Sequence, residues 1–412
     1  MSLFPLDVVL KRLIQHGQLT IVDVDGKPHT FGKPGAKPAV TIRLHDSNFK
    51  WRVALNPSLY TGEGYMDCAW TLEQGTLREF LEVGMVSQDM ASSSTAMAAA
   101  FRRIRAIAKA GKAFNPLGKA QKNIEAHYDI SHDLYELFLD KDMQYSCAYW
   151  RDGTTSLDRA QLDKKRHIAK KLLLEPGMTV LDIGSGWGGM ALHLAREHGV
   201  HVTGLTLSTD QYETSIRRAE EAGLSDRVKF KLLDYRLDTD RYDRIVSVGM
   251  FEHVGRPHFR EFFAQIKRLL KENGIALIHT IAKMTEPGPT NEWILKYIFP
   301  GGYLPTLSEL APVIEKEGLW LTDLEVLRLH YAKTLREWDR NFQARRAEVA
   351  AKMGERFCRM WEFYLQGSEM SFRVGGLCNF QLQLAKKVDV VPLTRDYIHD
   401  DAAAAQSRIA AE

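Results

Sequence analysis

Hydrophobic positions along this chain fall into two regimes. Up to about residue 120 they come in short, mixed runs. Leu6 to Gln15 has the spacing of a short helix, Leu19–Val24 alternates like a strand, and Asp25-Gly26 is a hairpin turn signal. Ala39–Leu44 and Trp51–Leu55 read as further strands, and Leu72–Val83 as helix. From Met178 the signal strengthens. Thr179–Ile183, His201–Leu207, Val228–Leu233, Arg244–Val248 and Ile275–Ile281 read as strands, separated by helical patterns at Gly189–Glu197, Asp210–Ala222 and Phe259–Lys271. Strands apolar on both faces, alternating with helices, predict an α/β fold with a doubly wound parallel sheet. Between Lys283 and Leu319 the prolines and glycines (Pro287-Gly288-Pro289, Pro300-Gly301-Gly302, Pro305, Pro312) break every period, which reads as a lid insertion with Gly301-Gly302 as its hinge. Helices are expected from Thr334 to Gln366, a last strand at Leu377–Ala385, and a frayed alanine-rich end.

The division that follows is a small N-terminal α+β domain over 1–90, a basic linker and helix over 91–122, a main domain over 123–390 and a tail over 391–412. The net charge of +3 is too small for bulk nucleic-acid binding, but its distribution is uneven. From Ala91 to Ile124 there is no acidic residue, while Arg102, Arg103, Arg105, Lys109, Lys112, Lys119 and Lys122 are basic. Phe101, Ile104, Ile107 and Ala108 share one helical face within this stretch. It reads either as a surface helix packed on its own domain or as a membrane-surface helix with Arg102, Arg103 and Lys109 as docking charges. No apolar run reaches the ~18–20 residues of a membrane span. The first residues lack the pattern of a secretory leader, and Cys68, Cys147, Cys358 and Cys378 show no CxxC or metal-site spacing. Reduced thiols in the cytoplasm are therefore expected, with no metal.

The chemistry-bearing motif is Val180-Leu-Asp-Ile-Gly-Ser-Gly-Trp-Gly-Gly189, a strand entering a glycine turn that opens a helix. Its glycines satisfy G-x-G-x-x-G, a weak signal shared by several nucleotide-binding folds. Two details argue against a nicotinamide cofactor. Asp182 lies inside the strand, where a carboxylate faces a cationic ligand, and the acid that would bind ribose ~20 residues on is missing, because the next strand ends Gly204-Leu-Thr-Leu-Ser208. D-x-G-x-G in this setting resembles the S-adenosylmethionine (SAM)-dependent methyltransferases, whose class I fold is Rossmann-like. In that superfamily the register of Leu233-Asp234-Tyr235 places Asp234 at the adenine amino group.

Further segments resemble the cyclopropane-fatty-acid synthase family, which includes the mycolic acid cyclopropane synthases. They are His127-Tyr-Asp129, Met143-Gln-Tyr-Ser-Cys-Ala-Tyr-Trp150, Thr206-Leu-Ser-Thr-Asp-Gln211, Val248-Gly-Met-Phe-Glu-His-Val-Gly255, Ile278-His-Thr-Ile281 and Tyr297-Ile-Phe-Pro-Gly-Gly-Tyr-Leu-Pro305. The likeness runs nearly unbroken from Asn123 to Ala385 and is looser before it. It implies a cyclopropane-fatty-acyl-phospholipid synthase that transfers the SAM methyl to a cis double bond, with a bound bicarbonate taking the proton that ring closure releases. The implied bicarbonate pocket is Cys147 (through its backbone N–H), an ionised Glu252, His279, the Ile281 backbone and Tyr331. For SAM the resemblance points to Tyr145, Ser146, Asp182, Gly184, Gly186, Thr206, Leu207, Gln211, Asp234 and Tyr235, with the neutral Gln211 amide replacing the missing ribose acid. His127, Tyr149, Phe251 and Tyr303, with Trp150 and Trp187, would form the acyl slot. The implied partners are a bilayer with unsaturated acyl chains, met peripherally from the cytoplasmic side by a lipid-docking N-terminal domain, and a second copy of the chain in a homodimer. Gly-Ser-Gly replaces the Gly-Cys-Gly of many relatives, with a side chain of similar size. Gln366-Gly-Ser-Glu-Met370 lacks the cysteine that some relatives carry nearby. Alternatives are an alkene methyltransferase giving methyl-branched or methylene chains, a small-molecule N-methyltransferase, and a catalytically silent lipid-binding protein.

Overall fold

The computed structural model describes residues 3–92 and 132–399. The basic segment with Arg102, Arg103 and Lys109, and His127, lie outside the described residues. The described residues form two compact units that interleave along the sequence: those within 3–92, 288–300 and 335–377 make one, and those within 132–287, 301–334 and 378–399 make the other.

The first unit holds a four-stranded sheet in the order β2-β1-β3-β4, where β1 is Gln18–Val22, β2 Pro28–Gly32, β3 Ala39–Leu44 and β4 Trp70–Gln74. β1 and β2 form the expected hairpin, and β1 pairs with β3 in parallel. One face packs the helix Leu6–Leu13 and a core centred on the fully buried Trp70. Two sequence readings are corrected here. Trp51–Leu55, read as a strand, is part of the helix Phe49–Leu55, in which only Phe49 and Lys50 are buried. Asn56-Pro57 ends it, since the residue before proline avoids helical geometry, and Pro57 opens the helix Pro57–Met66. The single helix expected over 72–83 is instead β4, a turn at Gly75 with φ of +87°, and the helix Leu77–Ser92. Thr76 and Glu79 start that helix as a capping box: Thr76 N–H donates to Glu79 Oε2 at 2.8 Å and Glu79 N–H to Thr76 Oγ1 at 3.2 Å.

The stretch read as a lid divides between the units and contains two regular helices. Glu292–Tyr297 belongs to the first unit because Trp293 buries its indole there, donating to Met66 Sδ at 3.2 Å and stacking edge-on with Phe363. Leu307–Lys316 belongs to the second, started by a Thr306/Glu309 capping box that outweighs Pro312.

The second unit is a seven-stranded sheet in the order β10-β11-β9-β8-β5-β6-β7. The strands are β5 Thr179–Ile183, β6 His201–Thr206, β7 Val228–Leu232, β8 Tyr242–Val248, β9 Leu270–Lys283, β10 Trp320–Leu327 and β11 Leu377–Ala385. β5 to β9 pair in parallel as expected, and β10 runs antiparallel to β11. β10 gave no apolar run in the sequence, because Thr322, Asp323 and Glu325 interrupt it. The helices Gly189–His198, Thr209–Glu221, Phe259–Leu269 and Leu157–Leu172 cover the sheet. The order reverses between β5 and β8, so the carboxyl ends of these strands form the crevice where open α/β sheets take ligands.

Candidate active site

At that crevice β5 ends in the glycine turn. Gly184 and Gly186 have φ of +79° and +54°, backbone open to glycine and strained for other residues. A side chain on Gly184 would collide with Met250, whereas one on Gly186 would meet only open space. The pocket above the turn is lined by Tyr145, Ser146, Asp182, Gly184, Gly186, Thr206, Leu207, Gln211, Asp234 and Tyr235, together with Trp187, Met250, His253 and Val254. All ten residues named from the sequence for the cofactor thus meet around one cavity.

Their chemistry fits SAM. Asp182 is buried, its Oδ2 has no hydrogen-bond partner among the described residues, and burial pushes its carboxyl up to about 7 against the opposing field of Lys164. An orphaned carboxylate on a pocket floor is the partner that an ammonium or sulfonium ligand requires. Thr206 Oγ1 donates to Gln211 Oε1 at 2.9 Å, which leaves the Gln211 amide N–H groups as its donor side. Asp234 holds Arg236 through both oxygens, at 2.9 and 2.6 Å, and lines the same cavity.

The loop from Asp140 to Trp150 closes one side. Trp150 N–H donates to His330 Nδ1 at 2.8 Å, and Thr334 Oγ1 accepts from Ala148 N–H and Trp150 Nε1, both at 3.1 Å. These bonds carry Cys147 to the start of the helix His330–Ala344, where Tyr331 is buried. Burial raises the Cys147 thiol far above its ordinary range, so it is no nucleophile. Its place in the implied set rests on the backbone alone.

Glu252 lies in a single turn after β8, buried. Its Oε1 accepts from Ile281 N–H at 2.6 Å, and its Oε2 has no partner among the described residues. Burial raises the carboxyl to about 7, with the Ile281 amide and the Thr280 side chain among the groups opposing. Its backbone carbonyl accepts from Tyr303 N–H at 2.9 Å. His279, two residues before Ile281 on β9 and so on the same face, is buried between two amides of β11. Gln381 Nε2 lies 3.2 Å from its Nδ1 and Asn379 Nδ2 3.4 Å from its Nε2. Burial depresses the imidazole to about 3, leaving it neutral. A neutral ring offers one donor and one acceptor, which matches two reversible amides. The structure therefore groups Glu252 with Ile281 and Tyr303, His279 with Gln381 and Asn379, and Cys147 with the His330–Thr334 turn.

Two of the aromatics expected at the acyl slot pack against other rings. Phe251 packs in the core, 4.8 Å from Phe259 and from Phe262, because the turn that aims Glu252 at β9 sends its neighbour the opposite way. Tyr149 is sandwiched between His167 and His330 at 4.1 and 4.9 Å. Tyr303 is mostly buried, its hydroxyl donating to Glu309 Oε1 at 2.7 Å. Thr334, Gln381 and Asn379 were missed in the sequence. Thr334 was legible, one turn after His330, whereas the two amides of β11 meet His279 only through strand pairing.

The family model for mycolic acid cyclopropane synthetase matches residues 116–382. A probable fatty acid methyltransferase of Pseudomonas putida is 42% identical over 270 residues, covering 64% of this chain and 68% of that protein. The cyclopropane-fatty-acyl-phospholipid synthase of Escherichia coli (strain K12) is 38% identical over 359 residues, covering 86% of this chain and 90% of that one. Among solved structures, the mycolic acid cyclopropane synthase CmaA1 complexed with SAH and CTAB is 33% identical with a TM-score of 0.62, covering 66% of this chain and 99% of that one.

Proposed function

The chain belongs to the mycolic acid cyclopropane synthetase family, and from that premise we propose that it converts cis-unsaturated phospholipid acyl chains to cyclopropane chains. Its fold is that of the class I SAM-dependent methyltransferases. SAM, when bound, supplies an electrophilic methyl group. The protein's own residues do the rest. Asp182 faces the cationic end of the cofactor and Gln211 its ribose, while the glycine turn admits the ligand to the backbone. Methylating an alkene leaves a positive charge on the acyl chain, and ring closure needs one proton removed from the new methyl. The reading is carried by Glu252: a buried carboxylate with one oxygen on the Ile281 amide and the other unpartnered, in a turn whose neighbours Met250, His253 and Val254 line the cofactor pocket. An unpartnered acceptor beside the Ile281 amide suits the hydroxyl of a bicarbonate, which both donates and accepts. Glu252 would hold that ion by its hydroxyl, and the preorganised anion would stabilise the cation and take the proton.

The substrate reaches the enzyme from a membrane. No helix among the described residues is long and apolar enough to cross one; in this reading contact is peripheral, with the basic charges of 102–122 as the docking element and a homodimer as the working form. The alternative outcome, a methyl-branched or methylene chain, is favoured by one observation, the fatty acid methyltransferase name of the 42%-identical relative.

The test is incubation of the protein with SAM, bicarbonate and vesicles of cis-unsaturated phospholipid, read by acyl mass and proton NMR. A gain of one CH₂ with upfield ring protons, lost in bicarbonate-free buffer and restored by adding bicarbonate, is the expected result. The same mass with olefinic signals, from a methylene group or a methyl-branched alkene, would establish the alternative. No mass change would refute the lipid reading.

A further inference from the structure

The helix Leu157–Leu172 carries a residue that none of this chemistry uses. Lys164 is completely buried, which a lysine almost never is without a purpose for its charge. Its ammonium donates to Gln144 Oε1 at 2.9 Å and Ser146 Oγ at 2.8 Å, both on the loop that lines the cofactor pocket. One turn earlier on the same helix face, Gln161 Nε2 donates to the backbone carbonyls of those same residues, at 3.1 and 3.0 Å. Asp140 anchors the start of the loop, accepting from Asp142 N–H at 3.0 Å and Gln144 N–H at 2.8 Å. The loop is thus clamped by side chain and by backbone on both sides of Tyr145.

We infer that Lys164 is a positioning residue for the cofactor. It fixes Gln144 and Ser146 against the pocket, so that the loop is in place before the ligand arrives, and its buried charge favours the ionised form of Asp182. The inference rests on the reading of this pocket as a SAM site. A methionine would fill the same volume without desolvating a charge. The ammonium therefore contributes through its polar partners, and both of its hydrogen-bond acceptors belong to the pocket loop.

The titratable groups that face Lys164 are Asp140, Asp142 and Cys147 on the loop, Lys165 on its own helix, Asp182 on β5 and His279 on β9. On the far walls of the pocket, Asp182 shares the cavity with Asp234, Tyr235, Arg236 and His253. Burial lowers Lys164 to about 8, so it is mostly charged at neutral pH and opposes the upward push on Asp182. Without that charge Asp182 protonates at a higher pH and the cofactor's ammonium loses its partner sooner as pH falls.

The test is SAM affinity by isothermal titration calorimetry on the full chain, wild type beside Lys164→Met, Lys164→Gln and Lys164→Ala, from pH 6.5 to 9. The neutral variants should bind about tenfold or more weakly at pH 7.5, the equivalent of one charge-assisted hydrogen bond. The deficit should widen as pH falls, and ethylammonium should restore part of the affinity of Lys164→Ala by refilling the site. Neutral variants that bind as wild type does would overturn the inference. So would a deficit that is equal at every pH and untouched by ethylammonium, since that is the mark of a lysine that only fills space. A wild-type chain that fails to bind SAM would instead sink the cofactor reading itself.

Discussion

Glu252→Gln separates what the carboxylate contributes to catalysis from what it does to stability. The substituted side chain keeps an oxygen for the Ile281 amide, which now meets Oε1 at 2.6 Å, and exchanges the other carboxyl oxygen for an NH2 that cannot ionise. In the unfolded chain the carboxyl ionises near its ordinary 4.5, and in the folded chain near about 7. Between those values the unfolded state binds fewer protons, so stability falls as pH rises, and the loss is complete above the folded value. At about 1.4 kcal/mol per pH unit, the wild type forfeits roughly 2–3 kcal/mol between pH 5 and pH 8 through this one group. The glutamine variant does not. Its new amide hydrogens replace an oxygen without a partner and cost about 1–2 kcal/mol at either pH. It should therefore be the less stable protein at pH 5 and equal or more stable at pH 8. The assay is the urea midpoint of both proteins at the two pH values, alongside cyclopropane product formation. Product formation should drop about 10²–10³-fold, the scale of one lost electrostatic partner in the transition state. A stability difference that is the same at both pH values would refute the buried-carboxylate reasoning. Unchanged turnover would refute the catalytic role.

Three further perturbations probe the scaffold. Asp182→Asn should weaken SAM binding by about tenfold or more at pH 8 and progressively less toward pH 6, where the wild-type carboxyl is itself protonated; equilibrium dialysis with labelled SAM measures it, and a pH-independent factor would contradict it. Gly184→Ala forces a side chain into positive φ and against Met250 Cβ at 2.8 Å. That should cost about 1–3 kcal/mol in thermal unfolding and reduce cofactor affinity, and an unaltered melting temperature would count against it. Glu369→Gln removes a fully buried carboxylate that meets Arg78 at 2.7 Å, Arg336 at 2.9 Å and Arg373 at 2.7 Å. Breaking this cluster should cost about 3–5 kcal/mol in the urea transition of the unit that contains it, with SAM affinity unchanged, and a loss below ~1 kcal/mol would show the arginines to be well solvated without it.

The parallel part of the large sheet was legible because its strands are buried on both faces and therefore spell themselves as apolar runs, from Thr179–Ile183 to Ile275–Ile281. The cofactor residues were legible for a related reason. A strand, a glycine turn and a helix N-terminus are consecutive in the chain, so the geometry that gathers Asp182, Gly184 and Gly186 is local. The helix Phe49–Leu55 was not, because seven residues with two buried side chains carry no period to read.

The deeper failure concerns charge. The helix Leu157–Leu172 reads Asp-Lys-Lys-Arg-His at its centre, the pattern of a solvated face, yet Asp163, Lys164, Lys165, His167 and Lys171 are all buried. Asp163 pairs locally with Arg159, one turn earlier, but the other four find partners that the sequence places far away. Lys165 pairs with Asp142, and Lys164 holds the pocket loop. His167 Nε2 meets Glu325 Oε2 at 2.6 Å, and Lys171 meets Glu325 at 2.6 Å and Asp323 at 3.1 Å. Glu325 and Asp323 belong to β10, the strand that the sequence also hid, and for the same reason: acidic residues interrupt its apolar run. The two omissions are one physical fact. A helix with buried cations and a strand with one buried and one half-buried acid each look wrong alone, and each is stabilised by the other, since an unpaired buried charge is far costlier than a paired one. Single-sequence periodicity scores each element against water, so it cannot register a pair whose members desolvate together. The same pairing brings Lys164 to the cofactor loop: the face of the helix that neutralises β10 with Lys171 turns Lys164, two helical turns earlier, toward Ser146.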